Sequence, residues 1–343
     1  MTKAEQQPDT PHKAGLSARR LNVMLVAEES AGIQVLRILE QSHHNVVAVL
    51  ASQSKDSKAA TVWNAANRMG LTTLPAELVK QANFASEVRR NKVDLLLNVH
   101  SLYLVNGDII RATHMGAFNM HPGPLPQYAG LNVPSWAIYH GETEHAVTIH
   151  EMVPRIDAGF IAYQERFPIS DGDTGFTLMS KCIRAGVPLI ARLLDDAARG
   201  TDCIPQIEQD FSQRRYFNRH APDDGWMSWA RPARDVVNHV RAANYAPFQS
   251  PWGVPKTSLE ILDIGIVKAS LTDQPTDAEP GTIASDGQDC VLVAAADSWV
   301  RVEKITLDGG SIDVEIILQP GLCLIGHSPK SKPTNPIKVI AHS

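Results

Sequence analysis

Residues 21–27 (LNVMLVA) are almost entirely apolar, as are residues 45–52 (NVVAVLAS) and 93–99 (VDLLLNV). A shorter run, AFNMH, covers 117–121. Near-continuous apolar runs of this length predict strands buried on both faces, as in a parallel sheet. Between them lie segments of helical character. Residues 32–41 carry Ile33, Leu36, Ile38 and Leu39, residues 59–70 (AATVWNAANRMG) end on Gly70 as a helix stop, and a further helix is expected over 82–91. Strand and helix in alternation, with short connections, predict an α/β fold with a doubly wound, mostly parallel sheet. The first strand-to-helix turn reads AEESAG where a dinucleotide site would carry GxGxxG, which counts against NAD or FAD.

Further along, 134–139 reads as a helix and 146–152 as a strand. Asp173 and Thr174 can cap a helix over 175–199, with Pro188 inside it predicting a kink or break. Residues 201–224 are polar and strand-poor, as a linker would be. After Gly225 come a helix at 233–243 and short β-like runs separated by Gly and Asp turns, a pattern that suggests a small barrel or sandwich. The expected organisation is a flexible tail at 1–20, an α/β domain at 21–200, a linker at 201–224, a small β domain at 225–320 and a loose tail at 321–343.

The chain has 343 residues with a net charge of −5 and a pI near 6.2, which argues against a surface that grips nucleic acid throughout. No apolar run is long enough to span a membrane. The N-terminal twenty residues lack the apolar centre of a secretory signal. Cys182, Cys203, Cys290 and Cys323 form no CxxC pair and read as free thiols of a cytoplasmic protein.

The chemistry concentrates in 118–161, FNMHPGPLPQYAGLNVPSWAIYHGETEHAVTIHEMVPRIDAGFI. Asn119 and His121 are two apart on a short strand, so they share a face, and Pro122 ends the strand at His121. In open α/β sheets ligands bind beyond that edge. Asn119 offers a neutral donor and a protonated His121 a charged one to an oxygen that gains charge in acyl transfer. Asp157, in a turn before Ala158 and Gly159, can orient His121 and take a proton directly or through water. An acceptor that brings its own amine needs no serine or cysteine nucleophile from the protein. Taken singly, Asn-x-His on a strand and Asp before Ala-Gly are more often structural features.

This segment resembles the signature of the folate-dependent formyltransferases, a family that includes enzymes acting on methionyl-tRNA, glycinamide ribonucleotide and amino sugar nucleotides. The matching residues are Asn119, His121, Pro122, Leu125, Pro126, Tyr128, Gly130, Trp136, Gly141, Glu142, Thr148, His150, Met152, Asp157, Gly159 and Ile161. Residues 218–242 resemble the junction that leads into a C-terminal barrel similar to an OB-fold. The resemblance implies Asn119, His121 and Asp157 as the catalytic set and 10-formyltetrahydrofolate as the formyl donor. It implies folate contacts at Tyr103, Leu104, Val105, Leu131, Val153, Pro154, Arg155, Ile156 and Asp157, several through backbone atoms. A homodimer is compatible with it. The chain departs from the family at Ala129, Leu131 and Gly123-Pro124, and carries SQSKDSKAAT where methionyl-tRNA formyltransferases have a basic loop. The PLPxYAGLN version is similar to formyltransferase domains of natural-product pathways. It favours a small-molecule amine acceptor over tRNA, and a hydrolase or a folate-binding protein without transfer activity is a further alternative.

Six histidines fall between 100 and 150, yet none shows HExxH or a zinc-type His/Cys spacing, so no metal is expected. His150 is expected as a strand residue near the site, and His114, His140 and His145 as surface residues. Trp136 is expected as core beneath the site, and Trp226 and Trp229 as packing for the domain junction. Arg214, Arg215 and Arg219 form either a solvated basic run or an anion site.

Overall fold

The computed structural model describes residues 19–285 and 291–326. The expected tail before residue 19, Cys290 and the expected tail from residue 327 lie outside the described residues. In chain order the elements are β1 (Asn22–Ala27), α1 (Glu29–Gln41), β2 (Asn45–Ala51), α2 (Val62–Arg68), β3 (Thr73–Pro75), α3 (Ala85–Arg90), β4 (Leu95–Val99), α4 (Gly107–Ala112) and β5 (Gly116–His121). These are followed by β6 (Ala129–Gly130), α5 (Val133–Tyr139), β7 (Glu144–Glu151), β8 (Ile161–Pro168), α6 (Gly175–Arg199), β9 (Tyr216–Phe217) and α7 (Ala233–Ala242). The strands β10 (Lys256–Leu259), β11 (Leu262–Pro275), β12 (Ile283–Ser285), β13 (Val291–Ala294), β14 (Ser298–Leu307) and β15 (Gly310–Ile312) follow. The chain divides into two compact units, one holding residues up to His121 with Ile149–Tyr163 and Val187–Glu208, the other holding the rest.

The first unit is built on a sheet of order β3-β2-β1-β4-β5-β7-β8. The pairs β1–β2, β1–β4, β2–β3 and β4–β5 are all parallel, as the apolar runs predict. Their buried character has a simple cause, since helices or loops cover both faces of a parallel sheet. Met24, Val26 and Leu96 pack against Phe84, Val88 and Ile109 on one face. The chain leaves β1 toward β2 and β3, then returns to β4 on the other side of β1. The topological switch point therefore lies between β1 and β4. Gly32 fits there because a Cβ would lie 2.8 Å from the Ala27 Cβ and 2.7 Å from Val62 Cγ2, so the helix sits close on the strand.

The second unit carries a six-stranded antiparallel sheet of order β10-β11-β14-β13-β12, with β15 on β14. Residues 321–325 were expected in a loose tail. They link the two edges of this sheet instead. Ser258 N and O pair with Ile325 on the β10 side, while Gly281 O accepts from Leu324 N and Ile283 pairs with Gly321 and Leu322 on the β12 side. Leu324 is buried in the core formed by Val236, Val240, Ile264, Ile266, Val293, Val300 and Trp229. Trp229 thus belongs to the core of this unit, its Nε1 donating to Thr257 Oγ1 at 3.0 Å.

The break expected at Pro188 is absent, and the stretch expected as a linker is held by strand pairs. Helix α6 runs unbroken through Pro188. A proline costs a helix about 3 kcal/mol, which burial of Leu178, Cys182 and Ile183 before it and Ile190, Leu193 and Leu194 after it offsets. The stretch 201–224 is anchored at intervals: Ile207 pairs with Ile161 in the first unit, and β9 pairs in parallel with β6 in the second. No helix among the described residues is long and apolar enough to cross a membrane.

His239 on α7 is buried against the edge of the Tyr139 ring, with ring centroids 5.2 Å apart. Burial, with the nearby positive charge of Arg231, depresses its pKa to about 3. The unfolded chain takes up this proton near pH 6.5 and the folded chain does not, so stability falls as pH drops from about 6.5 toward 3. Urea titrations across this window should show a shallower acid loss for His239→Gln than for the parent. Equal slopes would mean that other groups carry the acid sensitivity.

Candidate active site

Asn119 and His121 project from the same face of β5, and the register of the parallel pair sets Asn119 beside Asn98 of β4. Asn98 Nδ2 donates to Asn119 Oδ1 at 3.0 Å. On the other side Asn119 Nδ2 lies 3.1 Å from His150 Nε2, on β7. His150 Nδ1 lies 2.8 Å from the Glu151 carbonyl oxygen, which can only accept. The δ nitrogen of His150 therefore carries the proton, and the ε nitrogen accepts from Asn119. This chain of hydrogen bonds fixes which way the Asn119 amide points. One N–H of its Nδ2 is committed to His150 and the other is left for a ligand.

His121 closes β5 and is buried, at 3 % exposed, with Pro122 stopping the strand after it. Asp157 reaches it from the β7–β8 loop, Oδ2 lying 3.7 Å from His121 Nδ1 and Oδ1 lying 3.5 Å from His150 Nε2. Asp157 adopts a left-handed backbone, φ +50°, which aspartate tolerates better than most residues. The loop is pressed onto β7 by Gly159, where a Cβ would stand 2.1 Å from the Glu151 carbonyl oxygen. The Glu151 N–H also donates to Phe160 O at 2.9 Å. Backbone proximity at Gly159 is therefore what delivers the carboxylate.

The structure brings Asn119, His121 and Asp157 together. Asn98 and His150 join them. An asparagine inside the apolar run LLLNV was the signal for Asn98, and His150 was expected only as a neighbouring strand residue. Of the expected folate contacts, Tyr103 and Val105 pack partly against the sheet core, and the Tyr103 hydroxyl donates to Glu77 at 2.9 Å. Leu104 stands exposed in the same loop, beside exposed Leu102. Val153 is half-buried, while Pro154, Arg155 and Ile156 are exposed in the loop that ends at Asp157. Leu131 lies in the second unit, its N–H donating to Phe217 O.

Arg215, a candidate anion ligand, is engaged inside the second unit. It pairs with Glu142 at 3.1 Å and lies over the Tyr128 ring at 4.6 Å. Burial would raise the Glu142 carboxyl, but hydrogen bonds from Tyr128 and Arg215 hold it below its usual range. Burial and the bond to Glu142 push the Tyr128 phenol upward. His140 is exposed beside this group, as expected, and partial desolvation with the Arg215 charge lowers its pKa. His145 is fully buried, its Nε2 lying 2.8 Å from the Pro122 carbonyl oxygen.

A doubly wound sheet with a donor-and-carboxylate cluster at its carboxyl edge is an arrangement suited to acyl transfer. Residues 19–194 match the formyl transferase family and 220–314 match the formyl transferase C-terminal domain. The chain belongs to the formyl transferase family, and is an enzyme that transfers formyl groups. It is 27 % identical over 287 residues to a methionyl-tRNA formyltransferase of Listeria innocua serovar 6a, covering 81 % of this chain and 89 % of the relative. Its fold is similar to an N-formyltransferase from Helicobacter canadensis solved with folinic acid and dTDP-3-aminofucose. That likeness has a TM-score of 0.65 and 17 % identity, covering 82 % of this chain and 98 % of the other. It is also similar to WlaRD, a sugar 3N-formyl transferase solved with dTDP and 5-N-formyl-THF, at TM-score 0.63 and 14 % identity, covering 83 % and 97 %.

His150 acts on the site through Asn119. Replacing it with Phe removes the acceptor that holds the amide, which should cost about 1–2 kcal/mol, or roughly five- to thirtyfold in kcat. Both KM values should change less than kcat. His150→Gln, whose amide oxygen can accept, should recover part of the loss in the same steady-state assay. A Phe variant with unchanged kcat would remove His150 from the site.

Proposed function

We propose that this enzyme moves a formyl group from 10-formyltetrahydrofolate to the amine of a small metabolite, with Asn119, His121 and Asp157 as its catalytic residues. The observation that carries this reading is the buried convergence of an amide donor, an imidazole and a carboxylate at the carboxyl edge of β5. The donor supplies the formyl carbon as electrophile. The free N–H of Asn119 and a protonated His121 face the formyl oxygen, where negative charge grows as the amine adds. Such paired donors each contribute about 3–4 kcal/mol to lowering the barrier. Asp157 holds the charge on His121 and receives the proton that the amine must shed, directly or through a water. The bond from the formyl carbon to N10 then breaks, and tetrahydrofolate leaves with a proton returned to N10.

Residues on two loops of the first unit suit a flat heterocycle with a polar edge. Leu102 and Leu104 after β4, and Ile156 and Phe160 after β7, leave apolar side chains exposed where a soluble protein would ordinarily cover them. Tyr103, Leu104, Val105 and residues 153–157 would hold the folate there. A tRNA acceptor is the second reading, favoured by the likeness to the Listeria relative. Against it, residues 225–320 carry 13 Asp and Glu against 7 Lys and Arg, a poor surface for a phosphate backbone.

His121→Ala should leave binding of 5-formyltetrahydrofolate nearly intact in a thermal-shift titration. Its turnover should fall by about two to four orders of magnitude, the combined loss of a charged donor and of the partner that positions Asp157 for its proton. Turnover near the parent's would overturn the assignment.

A further inference from the structure

Two carboxylates sit at the topological switch point, where doubly wound sheets take their ligands. Glu28 and Glu29 follow β1 directly, and His100 follows β4. The parallel registers pair Ala27 with Val99 and Val99 with Met120, so Glu28, His100 and His121 come next in line on three adjacent strands. Strands stand about 4.8 Å apart, which sets the β1 turn about 10 Å from the catalytic strand.

Glu28 is fixed, its Oε1 accepting from Ser52 N and from Ser52 Oγ, both at 2.7 Å. Glu29 Oε2 lies 3.5 Å from His100 Nδ1, and a hydrogen bond from His100 holds the Glu29 carboxyl below its usual range. The Glu29 side chain is 69 % exposed and that of His100 only 4 %. His100 Nε2 is buried without a hydrogen-bond partner among the described residues. Glu29 and His100 both hold left-handed backbones, φ +58° and +55°, a strain that persists where the surrounding structure imposes it and that clusters at ligand sites. Among the described residues no Lys or Arg pairs with Glu28 or Glu29.

The N-terminus of α1 by itself carries about half a positive charge and would attract a phosphate. Two full carboxylates outweigh it and make the turn net negative. A nucleotide diphosphate is repelled there, and a cation is drawn in.

We infer that Glu28, Glu29 and His100 form an acceptor subsite for a cationic nitrogen, so that the substrate is a diamine or basic amino acid carrying one amine to be formylated and a second that stays charged. This rests on the formyl-transfer reading and names its substrate class. The reacting amine lies at Asn119 and His121, and the second nitrogen binds Glu29.

The test uses the full-length enzyme with 10-formyltetrahydrofolate, following tetrahydrofolate release. The acceptors are ornithine, 1,4-diaminobutane, butylamine and a dTDP-linked 3-amino sugar. The diamine or ornithine should show a higher kcat/KM than butylamine. Glu29→Gln should raise KM for the dication about tenfold, the loss of one charge-assisted hydrogen bond, while leaving the value for butylamine unchanged. Glu29→Arg should abolish the preference, and the exposure of this side chain favours folding of both variants. Preference for the dTDP sugar, or equal use of diamine and butylamine, overturns the subsite and leaves formyl transfer standing. No donor consumption with any amine, in a protein that still binds folate, overturns both.

Discussion

The orientation of one amide governs the site. Asn119 could present either its oxygen or its nitrogen to a ligand, and only the nitrogen can stabilise negative charge. Asn98 occupies the oxygen with a donor, and His150 occupies one N–H as an acceptor because its other ring nitrogen is pinned to a carbonyl. A low-dielectric surrounding strengthens each of these bonds and makes the wrong orientation costly. The sheet supplies the placement, since the parallel register puts residues 98 and 119 side by side, while β7 supplies the histidine. Fold and chemistry are thus joined by register.

The same economy explains Asp157. Its carboxylate is delivered by backbone rather than by side-chain packing. The Gly159 contact with the Glu151 carbonyl leaves no room for a Cβ, and the turn before it takes a left-handed step at the aspartate itself. The loop can expose Pro154, Arg155 and Ile156 to solvent and still hold its last residue close to two histidines. Apolar exposure and precise placement coexist because the clamp at Gly159 acts through the backbone.

Much of the first unit was legible in the sequence, because buried parallel strands leave long apolar runs and their helices carry a strong periodicity. The candidate residues Asn119, His121 and Asp157 stand out through their motif, although spacing gave no reason for residue 157 to meet residue 121. What stayed hidden was decided by tertiary contacts. Pro188 reads as a break because local chemistry disfavours it, and only burial along both halves of α6 overrides that. The stretch at 321–325 reads as tail because it is short and flanked by proline and glycine, while its pairing partners lie some 40 to 65 residues away in the chain. His150 and Asn98 are ordinary strand residues until the register reveals their neighbours.

Acceptor choice is not fixed by the fold alone, since one fold hosts many functions. Side chains that approach the reacting edge from neighbouring strands are where it can reside, and the turn after β1 is one such place on the switch-point side. There the fold has a built-in preference, since a helix N-terminus favours anions whatever the sequence. A chain that accepts a phosphate needs only small residues and backbone N–H groups at that turn. This chain places Glu28 and Glu29 there, anchors the first to Ser52 and pairs the second with a buried histidine, reversing the sign of the local field. Reversal against the helix dipole carries an electrostatic cost in the empty protein, which a cationic ligand relieves on binding.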